Sequence, residues 1–422
     1  MTSISDHPLR YAMANELHAR PFPTLNAPSR AAYLAITSQT PDRAAERTHL
    51  IALLDRYGAP HPQPDATHYS GQIGKHMLKW ESHSEFVTYT IFGDGNAIPP
   101  FDVSTFAMFP DDWLQSAPGQ RITSALIRVE TRDGDGRIID KTNQWFVPES
   151  LAIARVLEDE LVVASDFRID PAGHMRMAVF AGPETGGRRI GRVVQRLCEI
   201  ETYKAMAMLG LAKVRDMGPE LLTLDKQLSS LVAELNSDTL KSDETLRQLL
   251  QTSAVLEHAG AQSAYRFGAT RAYEAIVNQR IFILREERFL GRQTFGEFMM
   301  RRFDPAMRTV ESTQSRLQSL TDRAARASDL LRTRVDVERS AQNQDLLTSM
   351  DKRADLQLRL QRTVEGLSVV AISYYAVSLA LYVLGPVEMA YGVSKTMLAA
   401  GVTPVVLIVV WLLIQRIHRK MH

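Results

Sequence analysis

Two long apolar runs near the end of the chain are the strongest feature of its hydrophobic pattern. Residues 367–384 and 397–414 each hold eighteen positions without a charged side chain. At about 1.5 Å per residue, a helix of this length just crosses about 30 Å of hydrocarbon. A helix pair buried in a soluble protein is the alternative, but both runs are apolar around nearly the whole helix. The pattern therefore predicts two transmembrane helices.

The first part of the chain, residues 1–185, reads as a mixture of strands and helices. Short runs rich in β-branched or aromatic residues and bounded by turn residues predict strands. These runs lie at 31–37, 76–81, 85–92, 122–130, 138–146 and 175–181. Residues 131–137 predict a hairpin connection, and helices are predicted at 43–57 and 148–158. We expect an α/β layered domain.

The strand pattern stops near Arg188, and helical spacing follows. Five leucines repeat at intervals of three and four residues, as in a short coiled-coil seam. They are Leu221, Leu224, Leu228, Leu231 and Leu235. We therefore expect a helical hairpin that is interrupted somewhere within residues 236–243.

A very long helix is predicted next, because no proline occurs between Pro305 and Pro386. Apolar and small residues keep heptad spacing from Met307 to Val335, which indicates a coiled-coil-like face. If the helix is continuous, its length is on the order of 120 Å. It would form a stalk that continues into the first apolar run.

The predicted fold class is therefore α+β, with four parts in sequence order. Residues 1–185 form a cytoplasmic α/β domain and residues 186–304 a helical hairpin. Residues 305–366 form the stalk helix. Residues 367–422 form the two-span transmembrane hairpin with a basic cytoplasmic tail.

Charge and cysteine content narrow the functional classes. The chain has 49 Lys and Arg against 48 Asp and Glu, a net charge of +1. This balance argues against a nucleic-acid partner bound through a global basic field. A single cysteine, Cys198, excludes an intrachain disulfide framework and fits a reducing compartment. The first residues show no signal-peptide pattern.

The basic residues around the apolar runs predict the orientation of the chain. They are Arg353, Arg359 and Arg362 before the first run, and Arg416, Arg419 and Lys420 after the second. The connecting residues, 385–396, carry only Lys395 as a basic side chain. The positive-inside rule then places both termini in the cytoplasm. The expected location is the bacterial inner membrane, with the lipid bilayer as a partner.

A polar stripe marks the first predicted span. Glu365, Ser368, Tyr375, Ser378 and Tyr382 share one helical face. In lipid, such a face either packs against another helix or lines a water-filled path, and the sequence leaves both readings open. In a symmetric oligomer, Glu388 in the loop would form a ring of carboxylates at a pore mouth, and otherwise it is an exposed loop charge.

The segment 15–22, Asn-Glu-Leu-His-Ala-Arg-Pro-Phe, gathers several functional side chains. Asn15, Glu16, His18 and Arg20 are candidates for binding a ligand or a partner. The alternative is a helix end at which His18 and Arg20 complement the last carbonyl groups before Pro21.

Other motifs match no established catalytic or metal-binding pattern. His61, His68, His76 and His83 match no zinc spacing, and the acidic Asp133-Gly-Asp-Gly run lacks the remaining ligands of a calcium loop. The glycine-rich residues 186–191 open a helix and could hold an anion at its N-terminus. No nucleophile elbow, phosphate loop, kinase set or metalloprotease motif occurs. We therefore expect a protein that is not an enzyme and that carries no cofactor.

Two resemblances extend this picture. The stretches 15–22 and 357–375 (Gln-Leu-Arg-Leu-Gln-Arg-Thr-Val-Glu-Gly-Leu-Ser-Val-Val-Ala-Ile-Ser-Tyr-Tyr) resemble an uncharacterised bacterial family of membrane-anchored proteins, a domain of unknown function. The order of domains resembles the CorA-type two-span cation transporters. That second resemblance implies a pentamer, a divalent cation as transported species and first spans that line the pore. The Gly-Met-Asn signature of those transporters is absent, and residues 391–394 are the nearest stretch.

These observations lead to two main functional hypotheses. The first is an oligomeric, CorA-like ion channel or transporter with a large cytoplasmic domain. Its pore-lining candidates are Ser368, Tyr375, Ser378, Tyr382 and Glu388. The second is a membrane-anchored cytoplasmic sensor or interaction module without transport activity. A third, an enzyme with a site in the α/β domain, has the least support, because no acid–base or nucleophile group has convincing spacing. Any site for a metal in the cytoplasmic part stays unassigned.

Overall fold

A nine-stranded mixed sheet organises the first part of the chain. The computed structural model describes residues 4–16, 22–38, 42–235, 242–386 and 394–421. The strands are β1 Ser29–Thr37, β2 His68–Ile73, β3 His76–Ser82, β4 Phe86–Asp94, β5 Gln120–Thr131, β6 Ala152–Val156, β7 Leu161–Ile169, β8 Met175–Ala181 and β9 Glu287–Arg288. Their order is β2-β3-β4-β1-β5-β8-β7-β6-β9. Neighbouring strands are antiparallel except for the parallel pair of β5 and β8.

Nine α-helices accompany the sheet or follow it in the described part of the chain. They are α1 Arg10–Glu16, α2 Arg43–Arg56, α3 Asp111–Gln115, α4 Asp135–Trp145, α5 Gly187–Glu234, α6 Ser242–Leu284, α7 Phe295–Arg302, α8 Asp304–Val383 and α9 Lys395–Met421. A short 3₁₀ helix lies at Val103–Met108. The predicted α+β class, with an N-terminal mixed sheet, long helices and two apolar C-terminal helices, is confirmed.

Helices cover both faces of the sheet, because its strands alternate two sets of buried side chains. In β4, Val87, Tyr89 and Ile91 belong to the core shared with α2 and α3. Phe86 and Phe92 point to the other face and belong to the core shared with α5. The result is a three-layer α/β/α arrangement, which agrees with the predicted layers.

A buried histidine in the α2 layer makes the stability of this layer pH-dependent. His49 stacks on Trp113 with ring centroids 4.0 Å apart, and burial lowers the pKa of His49 to about 4. The unfolded chain takes up this proton near pH 6.5, so it binds more protons than the folded chain between about pH 6.5 and pH 4. Folding stability is therefore expected to fall by up to about 3 kcal/mol as the pH drops through this window.

His49→Phe is expected to remove this part of the pH dependence, because phenylalanine keeps the stacking and cannot titrate. The measurement is the free energy of unfolding in urea at a series of pH values, compared with the unchanged protein. Thr48→Ala, at an exposed position of the same helix without a titrating group, is the control and should leave the shape of the profile unchanged. Parallel profiles for the unchanged protein and His49→Phe would contradict the assignment.

Three local predictions are wrong, and each has a physical reason. Residues 138–146 form most of α4, because Ile138, Thr142 and Trp145 are buried at helical spacing; the hairpin at 131–137 is therefore wrong too. The predicted helix at 148–158 is instead β6, whose apolar run is buried on both faces as in an interior strand.

Other local predictions are confirmed. The strand at 31–37, the helix at 43–57 and the strands at 76–81, 85–92, 122–130 and 175–181 agree with β1, α2, β3, β4, β5 and β8. Helix α5 ends at Glu234 and α6 begins at Ser242, so two long helices are confirmed here; residues 236–241 lie outside the described residues. The leucines at 221, 224, 228 and 231 are buried. Sequence patterns missed β2, β7, α3 and α7.

The described residues divide into two compact units. The first consists of Met1–Leu240 and Arg247–Ser328, and the second of Lys241–Leu246 and Asp329–His422. Helix α8 is a single helix of 80 residues, which confirms the prediction from the missing prolines. In the second unit, every residue of α8 from 336 to 364 is exposed.

The two C-terminal apolar helices pack against each other within the second unit. Val369 and Ser373 of α8 line one groove with Leu407, Val410 and Trp411 of α9. Both helices are long and apolar enough to cross a membrane, and only 6% of the apolar window of each is buried in the chain. A helix pair in the core of a soluble protein would be mostly buried.

Candidate functional site: a charged cavity between the sheet and α5

A cavity of about 200 Å³ lies between the sheet and the first turns of α5. Strands β1, β3 and β4 form its floor, and residues 194–203 of α5 form its roof. All of its lining residues belong to the first compact unit.

The floor of this cavity is polar where a sheet core is ordinarily apolar. On β4, the side chains that face α5 are Phe86, Thr88, Thr90 and Phe92, and the two threonines are buried. On β3, Lys79 and Glu81 line the same cavity, as expected for residues two positions apart in a strand. Buried hydroxyl and charged groups need partners, so this floor is suited to contacts with a polar molecule.

Four charged side chains form one hydrogen-bonded series along the cavity. The Lys79 ammonium donates to Gln195 Oε1 at 2.5 Å and lies 3.2 Å from Glu81 Oε1. Gln195 Nε2 donates to Glu199 Oε1 at 2.8 Å, and Arg280 of α6 donates through Nε to the other oxygen of Glu199.

Burial makes this series energetically unusual. The side chains of Lys79 and Glu81 are only 6% and 11% exposed. Charges taken out of water are tolerated only when paired and hydrogen-bonded, and here each positive group has a negative group beside it. The lining of the cavity therefore carries positive and negative charges that sum to no net formal charge.

Two further groups at the cavity are held neutral. Burial raises the pKa of the Cys198 thiol, and burial also raises that of the Tyr33 phenol, whose oxygen lies 2.5 Å from Thr202 Oγ1. A thiol reacts as its thiolate, so Cys198 is poorly suited to nucleophilic catalysis at neutral pH. The cavity is better suited to binding than to covalent chemistry.

Aromatic rings close one end of the cavity. The His83 ring stacks on Phe86 at 4.4 Å between centroids, and Tyr203 meets Phe86 edge-on at 5.8 Å. Beside them, Glu85 in the turn between β3 and β4 accepts a hydrogen bond from Tyr273 at 2.5 Å and forms an ion pair with Arg266. Both of these partners lie on α6, so the turn that carries His83 is held against that helix.

Two glycines at the start of α5 allow the N-terminal segment to reach the cavity. A Cβ atom on Gly191 would lie 1.7 Å from the carbonyl oxygen of Pro23, so only glycine admits this contact. Leu25 donates its N–H to the carbonyl of Gly187 at 3.0 Å. This close approach is the structural reason for the glycine-rich motif at 186–191, which the sequence had linked to an anion.

The segment 15–22 is described only in part. The backbone of Asn15 and Glu16 ends helix α1, while the side chains of these two residues, and all of His18 and Arg20, lie outside the described residues. Phe22, the last residue of the segment, lines the cavity together with Pro23. The Phe22 ring lies 5.2 Å below the Arg192 guanidinium.

Four of the five pore-lining candidates lie on an exposed face of α8. Ser368, Tyr375, Ser378 and Tyr382 are exposed. Ser373, two residues before Tyr375 and so about 200° around the helix, is buried beside α9. The polar stripe therefore faces away from α9 within the chain. Glu388 lies outside the described residues.

The other motifs are dispersed. Among the residues that the structure describes, no group of three or more His, Cys, Asp and Glu side chains could hold a metal ion. His61 pairs with Asp55 at 2.6 Å, whereas His83 lies at the cavity. Asp133 pairs with Lys141 at 3.4 Å, and Asp135 pairs with Arg132 at 2.9 Å.

Sequence patterns missed the charged series of the cavity. Lys79 and Glu81 occupy alternate positions in a short strand, which is the pattern of a solvent-facing edge. The available signal was on α5, where Gln195 and Glu199 share the helical face of the apolar Val194 and Cys198. Polar residues on such a face indicate a polar partner across the interface.

Comparison with known proteins assigns a family and no activity. The family described as "Protein of unknown function (DUF3422)" matches residues 5–421, nearly the whole chain. No curated protein matches the chain. The matched range includes the stretches 15–22 and 357–375 that carried the first resemblance, and the chain belongs to this family of proteins of unknown function.

Proposed function

We propose that the protein is a membrane-anchored ligand-binding module. In this proposal the α/β domain holds a small polar molecule in the cavity under α5, and the apolar parts of α8 and α9 anchor the chain in the lipid bilayer. The observation that carries the proposal is the charged series from Glu81 to Arg280 along a cavity of about 200 Å³.

Energetics favour a binding role for this series over a structural one. Replacing a buried ion pair by apolar residues of similar volume is often neutral or stabilising. The burial of Lys79 and Glu81 beside a cavity is therefore better explained by ligand binding than by a contribution to stability. Pockets that combine apolar walls with a few placed polar groups are the usual sites for small molecules.

The anchor rests on the length and apolar character of the two C-terminal helices. Basic residues flank their outer ends, with Arg359 and Arg362 before the first and Arg416 after the second. By the positive-inside rule, the cavity then lies on the cytoplasmic side of the inner membrane.

The test is native mass spectrometry of the full chain purified in detergent from its membrane fraction after an alkaline wash. We expect the protein to remain with the membranes and to release a small molecule that Lys79→Met no longer retains. Asp140→Asn, at an exposed position of α4, is the matched control and should retain it. A protein that washes off the membrane, or one that carries no molecule dependent on Lys79, would overturn the proposal.

A second candidate function, an oligomeric cation channel, is favoured by one observation. The stripe of Ser368, Tyr375, Ser378 and Tyr382 faces away from α9. Hydroxyl groups in hydrocarbon favour a polar partner or water, and further copies of the chain would supply one, with the stalk parts of α8 in a coiled coil. Mass in detergent separates the candidates: a monomer excludes the channel, whereas a ring with cation flux that Ser378→Leu abolishes supports it.

A further inference from the structure

The charges along the cavity alternate in sign. In order they are Glu81, Lys79, Glu199 and Arg280, with Gln195 joining the two middle groups. A ligand with one net charge would add an unbalanced charge beside side chains that are mostly buried, which is costly. A ligand with one positive and one negative group pairs with both kinds of side chain and leaves the site neutral.

Aromatic side chains form part of the remaining lining of the cavity. Phe22, Phe86, Phe92 and Tyr203 line it together with the charged groups. Aromatic rings supply large apolar contact area with preferred ring-to-ring geometries. The ligand should therefore have an apolar or aromatic part beside its two charged groups.

The volume sets the size of the ligand. A cavity of about 150 Å³ accommodates benzene, and this cavity measures about 200 Å³. A single ring with a few further atoms fits such a space, whereas a nucleotide does not.

We infer that the cavity binds a zwitterionic α-amino acid with an aromatic or large apolar side chain. The inference rests on the proposed ligand-binding function. The α-ammonium group is placed among the carboxylates of Glu81 and Glu199, and the α-carboxylate near Lys79 and Arg280. The side chain lies against the aromatic end.

The experiment is isothermal titration calorimetry of the full chain in detergent with three probes of similar size. L-phenylalanine carries both charges, phenethylamine only the positive one and 3-phenylpropionate only the negative one. We expect L-phenylalanine to bind at least about tenfold more tightly than either single-charge probe, because each of those leaves one kind of side chain without a new partner.

Two variants test the two halves of the site separately. Glu199→Gln removes a carboxylate and should reduce the preference for L-phenylalanine over 3-phenylpropionate by about tenfold. Lys79→Met removes an ammonium group and should instead reduce the preference over phenethylamine. Asp140→Asn is the control and should change neither preference. Because Lys79→Met can impair folding, Glu199→Gln at its more exposed position provides the independent reading.

Equal affinity for the three probes, or no heat of binding with L-phenylalanine up to about 10 mM, would overturn the inference. If the purified protein still releases another small molecule that depends on Lys79, only the amino-acid class is wrong. If it releases none, the proposed ligand-binding function fails as well.

Discussion

Asp166→Ala is expected to lower the free energy of unfolding by about 3–5 kcal/mol. The Asp166 side chain is 0% exposed, and its Oδ2 accepts from Arg176 Nη2 at 2.9 Å and from the Val147 N–H at 3.1 Å. Its Oδ1 accepts from the Arg168 N–H at 3.2 Å. Alanine removes the only carboxylate that the structure shows paired with Arg176, so a partly buried guanidinium and two backbone donors lose their partner.

The measurement is urea unfolding of the full chain in detergent, followed by tryptophan fluorescence. Asp140→Ala, on the exposed side of α4, should stay within about 0.5 kcal/mol of the unchanged protein. Asp166→Asn should lose less than Asp166→Ala, since the amide oxygen still accepts a hydrogen bond. A loss below about 1 kcal/mol for Asp166→Ala would mean that Arg176 reaches water without cost.

Gly191→Ala is expected to lower the free energy of unfolding by about 2–3 kcal/mol and to release the segment that follows Phe22. The new Cβ would lie 1.7 Å from the Pro23 carbonyl oxygen, a distance that no side chain can hold. Neither the Cβ atom nor the backbone oxygen can move by a change of side-chain rotamer. The whole segment that carries Pro23 must therefore move away from α5. Leu25, which is buried in the core beside α5, then loses its contacts.

Limited proteolysis near the N-terminus should show the release directly, together with the urea midpoint. Gly268→Ala is the matched control, since a Cβ at this helical position meets no atom within 4 Å. Helix propensity predicts a gain of about 0.5–1 kcal/mol there. Equal stability and equal protease resistance of Gly191→Ala and the unchanged protein would show that the Pro23 contact is not maintained in solution.

Features set by long stretches of the sequence, such as α8, could be predicted from the sequence. Features set by contacts between distant parts of the chain could not. The absence of proline from 306 to 385 was enough to predict α8, because proline is the strongest interruption of a helix. Short apolar runs were ambiguous: β6 is buried on both faces, so its sequence carries no alternation to separate strand from helix.

The candidate site could be predicted only in small part. Phe22 belonged to a segment singled out for its functional side chains, and it lines the cavity. Lys79, Glu199 and Arg280 come from three distant parts of the chain and meet only because β3, α5 and α6 pack together. The spacing of residues along a sequence does not show which distant residues come into contact. The charged series could therefore be identified only from the structure.

Strand β9 determines how this protein can be divided for experiments. Its two residues pair with Ala154 and Arg155 of β6. On either side of β9, the carbonyl oxygens of Gln293 and Leu284 accept hydrogen bonds from the N–H groups of Ile153 and Leu157. Residues from beyond position 280 thus cover an edge whose own side chains are almost all apolar and buried. A fragment that ends near residue 185 would expose this edge to other chains, and uncovered apolar edges promote intermolecular pairing and aggregation. Recombinant forms of the sheet domain therefore need to extend past α7 to stay soluble.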